Sequence, residues 1–186
     1  RTTLSEWKTK YEETYEKYEE TITTIDEYNK KIESSEEASE LLDKELEKSN
    51  LIAGNTDVYG EGIIVTLIDN DEQTIKAEDL LELVNELRYA GAEAISINDI
   101  RITPQTGIKN AGSSISIGSA GRVDSSSEII IKVIGDKSKL NVGVSYGGSL
   151  ETGALKNYTN DVKSSDEITI TKTTQTLRSD YLIPVQ

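Results

Sequence analysis

Along the first fifty residues, apolar and aromatic side chains return at every seventh position. Leu4, Tyr11, Tyr18, Ile25, Ile32, Ser39 and Leu46 fill heptad position a, and Trp7, Thr14, Thr21, Tyr28, Ser35, Leu42 and Ser49 fill position d. The spacing predicts one helix from Thr2 to about Ser49, ~75 Å long at 1.5 Å per residue. A seam of this period calls for a partner helix and a left-handed coiled coil. Five of the seven d positions are Thr, Ser or Tyr, which bury little apolar area. Two readings therefore fit: a weak, locally frayed coiled coil, or a solvated single helix. A break is expected within Glu33–Glu37.

Beyond Asn50 the pattern changes. Ile63–Ile68 is an apolar, β-branched run that predicts a strand. Leu80, Leu83, Val84 and Leu87 fall at helical spacing, with Glu78, Asp79 and Glu82 near the start and Gly91 as a stop signal. Ala94–Ile97 predicts a second strand, continuing through Asn98 and Asp99 towards Ile102. So short a strand–helix–strand unit implies parallel pairing and a right-handed crossover. Ser113–Ile117 alternates like an edge strand, Gly118–Ser127 reads as a small-residue loop, and Glu128–Ile134 predicts a strong strand. Asp136 is a good N-cap for a helix carrying Leu140, Val144 and Tyr146. Ser149 is a cap for a second helical piece through Leu155. Glu167–Thr171 predicts a strand and Tyr181–Val185 a short tail strand. The fold class is α+β: a long coiled-coil helix, then a mixed-sheet, ferredoxin-like sandwich. The chain divides into an acidic stalk (1–50), a linker (51–57) and a globular domain (58–186).

Composition sharpens that division. All 13 Gly and both Pro lie beyond Asn50. Residues 1–50 hold 8 basic and 15 acidic side chains, the remainder 12 and 19, so half of the −14 net charge sits in about a quarter of the chain. His, Cys, Met and Phe are absent, which removes imidazole bases, thiol nucleophiles and disulfides. Acidity argues against nucleic acid or an anionic membrane surface as a partner. The missing initiator Met suggests a piece of something longer.

Few residues signal chemistry. Asn85, beside Val84 and Leu87, reads as a half-buried hydrogen-bonding tie. Glu93 and Arg101 flank the second strand; they form an ion pair or, with Asn98, line a polar pocket in which the Arg101 fork takes a carboxylate or phosphate. Asp69–Glu72 lacks the Gly and closing Glu of a calcium loop. Gly60-x-Gly62 precedes a strand and has no third Gly, so it is no dinucleotide fingerprint. Gly118–Arg122 has no helix or Walker Lys after it and reads as a hairpin loop. No catalytic residue, cofactor or metal site is assigned, and a non-enzymatic role is expected.

The stretch Asp79–Arg88 followed by Gly91–Arg101 resembles a bacterial family of unknown function typified by YlxW/YlxX-like proteins. Gly60–Ile63 with Asp69, and Ile134–Asp136 with Leu140, resemble two further parts of its pattern. The likeness runs from about Val58 to the C-terminus and is strongest over Asp79–Arg101. It implies an N-terminal membrane-spanning or signal-like segment, removed ahead of Arg1, then a coiled coil, then a domain outside the cytoplasm. Several such proteins lie in gene neighbourhoods concerned with cell division or the envelope, so the resemblance implies a role there. An anchored envelope protein is therefore expected, one that presents its α+β domain to a protein partner or, through residues 1–50, to a second copy as a weak homodimer. The alternative is a small-ligand-binding or regulatory domain with its pocket at Asn85, Glu93, Asn98 and Arg101. Abundant Ile, Lys, Asn and Glu point to a low-GC Gram-positive bacterium.

Overall fold

The computed structural model describes residues 3–31, 36–69, 74–119 and 121–186. They divide into two compact units, Arg1–Ser49 and Asn50–Gln186. The acidic segment forms two helices, α1 (Leu4–Lys31) and α2 (Glu36–Ala53), where the heptad count predicts one. Ile32, Ser35 and most of the expected break lie outside the described residues, as do Asn70–Glu72 and Ala120. At the start of α1, the Thr3 amide donates to Glu6 Oε2 at 2.9 Å, half of a capping box. Residues 51–53, expected in the linker, complete α2. Its end is a Schellman turn: Gly54 sits at φ 81°, Asn55 N donates to Asn50 O and Gly54 N to Leu51 O.

The second unit runs β1 (Val58–Ile68), α3 (Ala77–Tyr89), β2 (Ala94–Ile97), β3 (Ile100–Arg101), β4 (Ile108–Ala111), β5 (Ser114–Ile117), β6 (Gly121–Asp124), β7 (Ile129–Ile134), α4 (Lys137–Ser145), a 3-10 turn (Ala154–Asn157) and β8 (Thr159–Ile170). A five-stranded sheet has the order β3-β2-β7-β1-β8, and β4-β5-β6 form a separate sheet. Every pairing is antiparallel. This corrects the expectations of a mixed sheet and of parallel pairing across α3. β1 and β2 do run the same way, but β7 lies between them. Register supplies the reason: Ile63↔Val133↔Ile95 and Val65↔Ile131↔Ile97 align three apolar rows. The most apolar strand is thereby buried at the centre, clasped on both edges.

Both helices of this unit pack on one face. Leu80, Leu83, Val84 and Leu87 of α3 and Leu140 and Val144 of α4 join Ile63, Val65, Leu67, Ile97, Ile129, Ile131 and Val133 in one core. Asp136 caps α4, accepting from Ser138 N and Lys139 N at 3.0 Å, while Tyr146 is exposed. α3 ends in a second Schellman turn, with Gly91 at φ 98° and Ala92 N donating to Leu87 O. The region read as an edge strand and a loop is the three-stranded sheet; Ile108, Ile115, Ile117 and Val123 extend the core there. The helical piece placed after Ser149 is confined to the 3-10 turn, and Tyr181–Val185 forms no strand.

β1 carries a register shift between Gly60 and Gly62 against β8. At Gly62 a Cβ would stand 1.8 Å from the Val133 carbonyl oxygen, so β7 approaches too closely for any side chain. Gly62→Ala is expected to destabilise the domain by about 1–3 kcal/mol through this overpacking. A lowered urea midpoint at an unchanged m-value would report it.

Candidate functional site

The second strand does not continue through Asn98 and Asp99. These residues adopt φ 46° and 64° and form a two-residue turn between β2 and β3. Asn98 Oδ1 accepts from Ile130 N at 2.7 Å and its Nδ2 donates to Glu128 O at 3.4 Å, tying the turn to β7. The hairpin places Arg101 opposite Ser96 with only 4 % of its surface exposed. Its Nη1 donates to Thr56 O at 3.2 Å and Thr171 O at 3.4 Å, and its Nη2 to Leu51 O at 3.4 Å. Two stretches distant in sequence, 51–56 and Thr171, thus converge on one guanidinium. Thr173 N to Gly54 O (2.7 Å) and Lys172 N to Asp57 Oδ1 (2.6 Å) extend the knot. Desolvation draws the Arg101 pKa down and the charge of Asp57 draws it back up; a guanidinium stays cationic regardless.

The four residues expected to line one pocket stand apart: Arg101 is buried, Asn98 is half-buried in the turn, and Asn85 and Glu93 are exposed. Arg101 faces backbone carbonyls and not a ligand, and no described carboxylate forms an ion pair with it. Glu93 is exposed ahead of β2, so the Glu93–Arg101 pair is not made, and Asn85 is exposed on α3 instead of half-buried. Asn98 shares the hairpin with Arg101, but its side chain is spent on β7. Sequence reasoning missed two other polar ties. Asn110 of β4 accepts from Ala77 N at 2.8 Å and so caps α3 from another element, while its Nδ2 reaches Glu78 at 3.0 Å. That bond is the chief cause lowering the Glu78 pKa. Glu86 accepts from the backbone N (2.9 Å) and the hydroxyl of buried Ser149. Neither had a local signal, because each partner is more than thirty residues away.

A polar cleft of about 420 Å³ does open beside this knot, lined by Thr103, Gln105, Gly107, Gly118, Ser119 and residues 175–178. Its walls are held by side-chain amides. Gln105 grips the Arg178 backbone from both sides, accepting from its N at 2.7 Å and donating to its O at 2.9 Å. Gln175 Nε2 donates to Ser119 Oγ at 3.1 Å. At Gly118, which sits at φ 66°, a Cβ would stand 2.1 Å from that amide nitrogen, so glycine is what lets Gln175 in.

The other conspicuous surface is on α1. Leu4, Trp7, Tyr11, Tyr15, Tyr18, Ile22 and Ile25 are 43–89 % exposed. They follow one another at intervals of three or four, as a coiled-coil seam requires. The stripe uses Tyr15 and Ile22, which stand at position e, in place of the Thr14 and Thr21 that a fixed heptad count selects. Those threonines donate to their own helix, at Lys10 O (2.7 Å) and Lys17 O (2.8 Å), and the Tyr11 and Tyr15 rings stack at 6.3 Å.

The sequence profile of the family described as "Bacterial protein of unknown function (DUF881)" matches residues 45–182. UPF0749 protein YlxX of Bacillus subtilis is 33 % identical over 125 residues, covering 59 % of this chain and 53 % of its own length. UPF0749 protein Rv1825 of Mycobacterium tuberculosis is 26 % identical over 143 residues, covering 74 % and 47 %. The chain thus spans about half the length of the curated relatives it matches. The crystal structure of an uncharacterized conserved protein from Mycobacterium tuberculosis superposes with a TM-score of 0.63 at 25 % identity, covering 76 % of this chain and 99 % of that one.

Arg101→Met takes the donor from the Thr56 and Thr171 carbonyls and is expected to cost about 1–3 kcal/mol. Hydrogen exchange should rise at Lys172 and Thr173, whose amides close the same knot, and unchanged exchange there would contradict the assignment. Asn98→Ala should cost about 1–3 kcal/mol by stranding the Ile130 amide. Asn98→Gly, which keeps the turn geometry, should cost less in the same denaturant titration.

Proposed function

The chain belongs to the DUF881 family of bacterial proteins of unknown function, and on that footing we propose that it works without catalysis. It is an anchored envelope protein, outside the cytoplasm, that presents its α+β domain on a self-associating helical stalk in cell division or envelope organisation. The exposed stripe of α1 carries the reading. On the stripe, positions a and e form the seam, so Glu12, Glu19 and Asp26 at b border it, while the other five acidic residues of α1 (Glu6, Glu13, Glu16, Glu20 and Glu27) lie further round. Most of the acid is thus off the face on which two copies would meet.

No helix among the described residues is long and apolar enough to cross a membrane, so the proposal puts the anchor outside this stretch. It rests there on the likeness to proteins with an N-terminal span. We read the domain as ferredoxin-like: two strand–helix–strand units interleave, with β7 between β1 and β2 and β8 beside β1.

Sedimentation velocity tests the stalk. The chain should show a concentration-dependent dimer, and Tyr15→Glu with Ile22→Glu should remain monomeric at the same concentrations. The chain has no Cys, so Ile25→Cys gives a single thiol. It should cross-link to itself on mild oxidation if the helices are parallel. Monomers at every concentration would end the proposal.

A further inference from the structure

The cleft beside the Arg101 knot is built from three separate segments, the β3–β4 connection, the β5–β6 turn and residues 175–178. Leu177 is the one large apolar side chain among its lining residues. Most of the polar groups are already engaged in holding the walls. Both ends of the Gln105 amide are spent on the Arg178 backbone, and the Gln175 amide bonds Ser119 and, at 3.5 Å, Thr106. Thr103 Oγ1 accepts from Gln105 N at 3.3 Å. Unspent capacity is therefore specific. The Ser119 hydroxyl accepts from Gln175 and keeps its own proton, and the Thr176 hydroxyl has no partner among the described residues. The Arg178 guanidinium is exposed and forms no ion pair with a described carboxylate.

Most described basic side chains likewise form no ion pair with a described carboxylate, so what singles out Arg178 is its place in the lining of the cleft. Its planar fork of donors matches a carboxylate in a bidentate geometry. Hydroxyl-lined walls with little apolar surface suit a ligand that is itself rich in hydroxyls. Gln105 fixes the main chain of Arg178 on both sides, so the root of the cationic arm is set before any ligand arrives, which lowers the cost of binding.

We propose that this cleft binds a small hydroxylated carboxylic acid of the sugar-acid class, with Arg178 on the carboxylate and Ser119 and Thr176 on ligand hydroxyls. The assignment is independent of how α1 associates. D-glucuronate is a suitable probe, with D-glucose and acetate as its two halves. Titrated into the isotopically labelled full chain, glucuronate should shift the backbone amides of residues 103–107, 118–119 and 175–178 saturably. Glucose and acetate should each bind about tenfold or more weakly, since each forfeits one set of charge-assisted or hydroxyl bonds. Arg178→Gln sits at the surface and should leave the unliganded spectrum otherwise intact while weakening glucuronate to the level of glucose. Gly118→Ala, which displaces Gln175, should weaken both sugars together. Absence of saturable shifts at these three segments would overturn the proposal. So would equal binding of glucuronate and glucose, equal binding of glucuronate and acetate, or an unchanged affinity in Arg178→Gln.

Discussion

One buried cation organises the globular unit. Arg101 lies inside the protein in no ion pair with a described carboxylate, and its charge is met by the dipoles of three carbonyls, from Leu51, Thr56 and Thr171, with the charge of Asp57 beside them. A buried charge left alone is costly, so the 51–56 stretch and Thr171 are held wherever the guanidinium is. Leu51 belongs to the last turn of α2, where carbonyls already carry partial negative charge, and a cation there is doubly favourable. The walls of the cleft follow from the same fixed point. Two and four residues beyond Arg101 the chain reaches Thr103 and Gln105; four beyond Thr171 it reaches Gln175. Both arms leave the knot in step, which is why amides so far apart in sequence meet with good geometry.

Much of this fold was legible in the residues and some was not, for physical reasons that differ by element. β1, α3, β7 and α4 follow from period and capping: alternating or continuous Ile and Val, the Gly91 stop, the Asp136 cap. Strand order did not follow, because nothing in β1 or β2 says which strand enters between them. That choice is made by complementary apolar rows on β7. Asn98 and Asp99 looked like the middle of a strand, though a short polar pair between apolar runs is also turn chemistry, and the left-handed backbone settles it. Arg101 stood out in the sequence, but its role could not be read: its partners are main-chain carbonyls, which leave no trace in side-chain identity. The cleft was invisible for the same reason, since its best-placed residues are Gln, Thr and Gly, types that signal nothing alone.

On α1 the sequence was informative but the count was too rigid. Holding strictly to seven placed Thr14 and Thr21 on the seam and made it look poor. Allowing the stripe to move to Tyr15 and Ile22 restores large side chains at both places, and the threonines turn out to serve their own helix. The distribution of charge then has a geometric meaning. Most of the acid lies away from the stripe, with Glu12, Glu19 and Asp26 along its border.

β8 has a different consequence. It is twelve residues long and pairs with β1 alone among the described strands, so one side of its backbone is a row of donors and acceptors. Such a row templates fibre growth when it is flat and apolar. Here it carries Asp161, Lys163, Asp166 and Glu167, and its register against β1 is broken near Gly60 and Gly62. Charge and irregularity along this margin are what oppose edge-to-edge pairing of one sheet with another.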